Sequence, residues 1–289
     1  MEDIKMACNI KISNKTLECE ISTLGAELKS VKKGGRELIW QGDPKFWTGS
    51  APVLFPICGG LKDDVYFYGD KEYTLFKHGY VRSTEFEVEE VSDTKVVFLH
   101  KSNCETKKSY PFDYEFRVVF ALEDNKLTVD YVTKNTGNGD MYYSVGAHEA
   151  YACPEGIEEY SVIFEKEEKF EASTLFGNLL GLERTPVIPP SRELALKTEY
   201  FAVDALVFLG LNSRSAELIH RNSGRKIKLH FEGHDYFLIW QKPGANYICL
   251  EPWCGVPDFI DSKNSLTEKP GIIKLESGNT DIRRHVIEF

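Results

Sequence analysis

Two short stretches of the chain carry residue types suited to proton transfer. In Ser144–Tyr151, SVGAHEAY, a histidine and a glutamate follow a Gly-Ala pair. Gly146 and Ala147 leave room for a ligand or a second backbone to come close, and His148 is the side chain whose proton moves most readily near neutral pH. In Tyr247–Asp258, YICLEPWCGVPD, Glu251 follows an apolar run that reads as a strand and stands just before a proline. Pro252 is expected to stop the ladder and leave the carboxylate at the strand's end. Trp253 offers a flat apolar face for stacking, and Gly255 and Pro257 fix the turn that follows. Taken singly, His148 reads equally well as a satisfied core histidine, and Glu251 as a surface glutamate beside a structural tryptophan. Taken together they are a base and an acid: an unperturbed Glu, with a pKa of about 4.3, is ionised at pH 7, and a His near 6.5 is about one quarter protonated.

Two more segments put polar groups at loop positions. Trp47–Asp64, WTGSAPVLFPICGGLKDD, holds Pro52 and Pro56 around an apolar core and ends in Gly59-Gly60 before its polar tail. Phe76–Arg82, FKHGYVR, places His78 beside Gly79, with Arg82 four residues along. In strand geometry His78, Tyr80 and Arg82 share a face, although an arginine at a strand end is often merely solvated.

The elements that must position these groups are strands. Thr16–Trp40 alternates short apolar runs (Leu17, Cys19, Ile21, then Leu28, Val31) with Gly25 and Gly34-Gly35. Glu115–Leu122 and Lys126–Thr133 flank the polar Glu123-Asp124-Asn125, and Glu217–His220 and Arg225–Phe231 flank Asn222-Ser223-Gly224. These patterns predict hairpins and antiparallel neighbours. No long helical period competes, and Leu182–Tyr200, with Pro186, Pro189 and Pro190, reads as a long surface loop. The expectation is one all-β domain over residues 1–289, a large antiparallel sandwich with a cleft on a concave face.

At 289 residues, 42% hydrophobic and 28% charged, the chain can build a sizeable core. Its net charge of -10 and pI near 5.3 argue against nucleic acid and anionic membrane as main partners and suit a small neutral molecule. The start, MEDIKMACNIKIS, has neither an apolar signal core nor a membrane-spanning run, so a cytoplasmic location is expected. Seven cysteines without a C-x-x-C pair predict neither disulfides nor a metal site, and Cys254 is expected to lie close to the proposed site.

The ordered set of an apolar-proline segment ending in Gly-Gly, Lys-His-Gly-aromatic-Val-Arg, Gly-Ala-His, Asp-Ala-Leu-Val-Phe (Asp204–Phe208) and Leu-Glu-Pro-Trp-Cys-Gly resembles the aldose 1-epimerase (galactose mutarotase-like) family. It is closest to the short bacterial LacX-like branch. The resemblance implies a β-supersandwich and cofactor-free interconversion of the α and β anomers of a sugar, by a monomer or homodimer. Carried over position by position, it implies Glu251 as general base, His148 as general acid and His78 assisting at the ring oxygen. Arg82 and Asp204 then bind sugar hydroxyls, beside the stacking face of Trp253.

Two departures stand out. Many relatives place Pro after the histidine where this chain has Glu149, and the hexose-6-phosphate branch carries Arg-Gly-Gly where this chain has Thr48-Gly49-Ser50. The second departure favours a neutral sugar over a phosphorylated one. A carboxylate, Glu149 or Asp204, is expected to keep His148 more protonated than free imidazole. Two rival readings are a sugar-binding protein without turnover and a glycosidase. The first has no need of the proton pair. The second normally needs two carboxylates flanking the bond, with Asp204 as the candidate for the other one.

Overall fold

The computed structural model describes residues 8–289. Its local units are the hairpins that alternating runs and polar turns dictate. Tyr114–Glu123 pairs antiparallel with Lys126–Asn135 from Glu123 opposite Lys126 to Tyr114 opposite Asn135. Ser215–His220 pairs in the same way with Lys226–His230, and Leu17–Ser22 with Leu28–Lys33.

Two large sheets hold the core between them. The larger has nine strands in the spatial order Ser191–Ala195, Tyr160–Glu168, Ser215–His220, Lys226–His230, Thr280–Glu288, Lys126–Asn135, Tyr114–Glu123, Lys95–Lys101 and Glu87–Val91. The other has six, in the order Ala150–Ala152, Tyr247–Trp253, Tyr236–Trp240, Leu206–Phe208, Glu171–Phe176 and Leu179–Pro186. A four-stranded N-terminal sheet and two short two-stranded ladders complete the β structure. Tyr114–Glu123 alternates buried and half-buried residues along its length, as a strand with one face on a core must. Phe164 of the larger sheet and Phe237 of the smaller meet with ring centroids 5.7 Å apart. Phe55, on a connecting segment, stacks on Phe116 at 4.2 Å. No helix among the described residues is long and apolar enough to cross a membrane.

The strand Tyr247–Trp253 positions the chemistry. It is buried at every residue, and its alternation separates two environments. Ile248 and Leu250 enter the main core with Phe237 and Ile239 of the neighbouring strand. Glu251 and Trp253 face the opposite way with Leu238 and Trp240, toward a cleft covered by segments that include Trp47–Gly49 and Ala202–Ala205. Burial on both faces explains why the run reads as continuously apolar.

Two expectations from sequence need correcting here. Pro252 does not stop the ladder: the strand runs on to Trp253, with Pro252 opposite Phe237. The Pro252 carbonyl accepts the Ala147 N–H at 3.1 Å, so its nitrogen points to that same side. There the neighbouring strand Ala150–Ala152 has already ended opposite Cys249, and no ladder bond needs an N–H. Leu182–Tyr200 is likewise not a single loop. It contains most of the edge strand Leu179–Pro186, the edge strand Ser191–Ala195 and a short helical turn at Thr198–Phe201. Edge strands pair on one side only and tolerate proline, so exposure erased the alternation a strand usually shows.

Removing the ring that anchors the connecting segment tests the packing. Phe116→Ala is expected to cost about 3–5 kcal/mol, read as a lower urea midpoint with an unchanged slope. A loss below about 1 kcal/mol would mean that the Phe55–Phe116 stack is peripheral.

Candidate active site

The cleft on the outer face of the six-stranded sheet has a volume of about 590 Å³, inside the usual range of about 300–1,000 Å³ for small-molecule sites. His78, Arg82, His148, Asp204, Glu251 and Trp253, drawn from four separate segments, all line it. His148 Nε2 lies 3.4 Å from Glu251 Oε2, and both side chains are almost wholly removed from solvent. The alternation of Tyr247–Trp253 aims Glu251. His148 is aimed by an extended segment laced to two neighbours: Gly146 N–H donates to Leu54 O at 3.2 Å and Ala147 N–H to Pro252 O at 3.1 Å.

The space at Gly146 is not open to a ligand. A Cβ there would lie 2.5 Å from Cδ1 of Trp253, whose indole N–H donates to Ala147 O at 2.9 Å. Trp253, 2% exposed, therefore locks the histidine segment against the glutamate strand and shows little face for stacking. The more open aromatic surfaces belong to Trp47 and Trp240, with ring centroids 5.3 and 5.7 Å from that of His148.

Burial sets the electrostatics. It pushes His148 down to about 3 and pushes Glu251 well above the usual carboxylate range, because a low-dielectric site disfavours either charge standing alone. The expectation that a carboxylate keeps His148 more protonated fails. Glu149, next in the chain, points the opposite way and meets His285 Nε2 at 2.9 Å inside the core. The negative charge of Asp204 bears on Glu251. Both shifts favour the neutral forms, and the arrangement therefore suits a pair that holds one proton between them.

His78 is held in one tautomer. The segment Phe76–Arg82 is not a strand: His78 and Gly79 both take left-handed backbone angles, φ 69° and 70°, and Val81–Ser83 forms a helical turn. Left-handed backbone is costly for a non-glycine residue, and two bonds to Gly59 keep it there. His78 N–H donates to Gly59 O at 2.8 Å, and Gly59 N–H donates to His78 Nδ1 at 3.1 Å. With Nδ1 an acceptor, and burial plus the neighbouring His148 holding the ring well below 6.5, His78 is neutral and carries its proton on Nε2.

Asp204 fixes its own loop by accepting the Ala205 N–H at 2.8 Å, and Arg82 stands on the helical turn. Trp47, Trp240, Lys77 and Lys242 also line the cleft and were not singled out from sequence. Cys254 lies away from it, its thiol directed at Gly233 O, whereas Cys249 shares the Glu251 face of the strand. Donor atoms of His148, Cys249 and Glu251 fall within 4.8 Å of one another. A divalent ion bound there would have to displace the Cys249 proton, which burial holds well above the ordinary thiol range, and would occupy both members of the proton pair.

The aldose 1-epimerase family profile matches residues 9–280. The chain is 36% identical over 281 residues to the plasmid-encoded LacX protein of Lactococcus lactis subsp. lactis, covering 92% of this chain and 94% of that one. In structure it is similar to a galactose mutarotase related enzyme from Lactobacillus acidophilus, with a TM-score of 0.91 and 30% identity over 97% of both chains. A galactose mutarotase-like protein from Lactobacillus casei also superposes with a TM-score of 0.91, at 26% identity over 97% of this chain and 99% of that one. The fold is therefore galactose mutarotase-like, and the class it defines is that of the carbohydrate epimerases. The chain belongs to the aldose 1-epimerase family.

Buried neutral histidines make stability depend on pH. Outside the cleft, burial holds His100 at about 4 and His234 at about 3. Below about 6.5 the unfolded chain binds protons at these positions and the folded chain does not. Stability should thus fall on acidification from about 6.5 toward 4, by about 1.4 kcal/mol per pH unit for each such histidine. Urea midpoints across this interval should drop, and less steeply for His234→Gln. A midpoint that stays level to pH 5 contradicts the burial argument.

Proposed function

We propose that the protein is a mutarotase that interconverts the α and β anomers of an aldohexose, with Glu251 as base and His148 as acid. The observation that carries this reading is the 3.4 Å approach of the two groups on the floor of one cleft. Ring opening takes the proton from the anomeric hydroxyl, breaks the bond between C1 and the ring oxygen, and delivers a proton to that oxygen. Rotation about C1–C2 presents the other face of the aldehyde, and reclosure runs the same transfers backward.

One shared proton is enough for this cycle. Opening needs Glu251 ionised and His148 protonated; the transfer leaves Glu251 protonated and His148 neutral, which is the state reclosure needs. These two states hold the same number of protons, so burial that forbids an isolated charge does not stop the exchange between them. In this reading the His78 Nε2–H donates to the ring oxygen or an adjacent hydroxyl, and Arg82 and Asp204, which line the same cleft, supply a donor and an acceptor for other hydroxyls. The aromatic walls of Trp47 and Trp240 keep water from competing.

Exchange NMR on α-glucose and α-galactose checks the assignment. Glu251→Gln and His148→Gln should each lower kcat by about 10²–10⁴, and the double variant should be about as slow as the worse single one, since the two act as a unit. If no aldose equilibrates faster than in buffer, a sugar-binding protein without turnover becomes the better reading.

A further inference from the structure

We propose that His148, Cys249 and Glu251 form a binding site for zinc, or a transition metal of like chemistry, at the floor of the cleft, and that the ion switches turnover off by taking both members of the proton pair. The site follows from the geometry of its donors; the inhibition rests on the mutarotase reading.

Strand alternation puts two of the donors on one face: Cys249 and Glu251 are two residues apart on Tyr247–Trp253 and point the same way. The third comes from the segment bonded alongside, and His148 Nε2 and Glu251 Oε2 are 3.4 Å apart. That is the nitrogen–oxygen edge of a tetrahedral zinc site, about 3.3–3.5 Å for bonds of about 2.0–2.2 Å. One ligand atom from each of the three side chains lies within 4.8 Å of the others. The edges to sulfur in such a site are about 3.5 Å, so the Cys249 sulfur has to draw in by no more than about 1.3 Å. Imidazole, thiolate and carboxylate together suit zinc, cobalt or copper and suit magnesium or calcium poorly, since those ions take oxygen. Three protein ligands leave a fourth position for water or a sugar hydroxyl.

Binding exchanges protons for the ion. Bonds form from the metal to His148 Nε2, a Glu251 oxygen and Cys249 Sγ; the thiol proton and the proton shared by the pair leave to solvent, and nothing is oxidised or reduced. Burial holds the Cys249 thiol proton tightly, and the metal charge arriving at the sulfur is what releases it. One carboxylate and one thiolate match the two positive charges, so the site is neutral before and after. Neutrality matters in so dry a place: Glu251 is 1% exposed and Cys249 0%, and an uncompensated charge there is costly. Lys77 and Arg82, whose charges oppose a proton on His148, for the same reason do not oppose the neutral complex. With the ion in place Glu251 cannot accept the anomeric proton and His148 cannot deliver one to the ring oxygen.

Cobalt probes the site and zinc the inhibition, both on the full chain. Co²⁺ should bind and give the ultraviolet charge-transfer band of a thiolate ligand, which Cys249→Ser abolishes and Cys254→Ser keeps. Zn²⁺ should inhibit the exchange of α-glucose or α-galactose, a chelator should restore the rate, and Mg²⁺ should have no effect. Outer partners of a metal ligand alone are worth about 10–100-fold in affinity, so loss of a direct ligand in Cys249→Ser should weaken zinc inhibition at least about tenfold, each protein being read against its own metal-free rate. His148→Gln is followed by calorimetry, where zinc affinity should fall by as much. A cobalt band that persists in Cys249→Ser, zinc affinity unmoved by both substitutions, or equal inhibition by Mg²⁺ overturns the site. Zinc bound at these residues without any slowing of turnover overturns the switch. A cobalt band lost in Cys249→Ser with no aldose turned over keeps the site and removes the mutarotase.

Discussion

The molecule turns on an imidazole and a carboxylate kept 3.4 Å apart where water scarcely reaches. Exposed to solvent, the two would titrate independently, and near pH 7 they would be in complementary states only about one quarter of the time. Burial couples them. Neither can bear a charge easily without the other, which is why we propose that together they bind a single proton and pass it back and forth. A hemiacetal that opens by losing one proton and gaining another fits this economy without metal or nucleotide in any step.

The fold achieves the juxtaposition by alternation. Along His148-Glu149 and along Leu250-Glu251, successive residues face opposite ways. His148 and Glu251 point to the cleft, while Leu250 enters the main core and Glu149 reaches His285 on the nine-stranded sheet. That buried bond ties the histidine-bearing segment to the opposite layer, and the Trp253 indole, bonded to Ala147 O and packed on Gly146, ties it to the glutamate strand. The two residues proposed as acid and base are thus held from both sides of the sandwich, as a site that must keep sub-ångström geometry requires. A slip of one residue in the register of Tyr247–Trp253 would put Glu251 into the core.

Much of this was legible in the sequence because turns and alternation are local. The hairpins at Glu123–Asn125 and Asn222–Gly224 could be placed from polar turns between apolar runs, and the motif order led to the family and to six residues that lie together in the cleft. What escaped was whatever depends on neighbours distant in the chain. Pro252 looked like a strand stop because its missing partner is visible only once Ala150–Ala152 is in place. The edge strands Leu179–Pro186 and Ser191–Ala195 lack alternation because they are largely exposed. His148 and Glu149 are adjacent, and sequence alone does not reveal that one faces the cleft and the other the core. Trp47, Lys77 and Lys242 reach the site from loops whose path no local pattern fixes, and Trp240 reaches it from the strand paired with Tyr247–Trp253.

The most direct test of the shared proton is the titration of His148 itself, followed through its imidazole nitrogen shifts by NMR in the ligand-free protein. The arrangement described here predicts a ring that shows no protonation step near 6.5 and stays largely neutral down to the lowest pH at which the fold survives, and does so equally when Glu251 is replaced by Gln, whose neutral amide stands where the protonated carboxyl did. A His148 that titrates near 6.5 in both proteins would mean that the two groups do not share a proton, and the acid and base would then have to be sought elsewhere in the cleft.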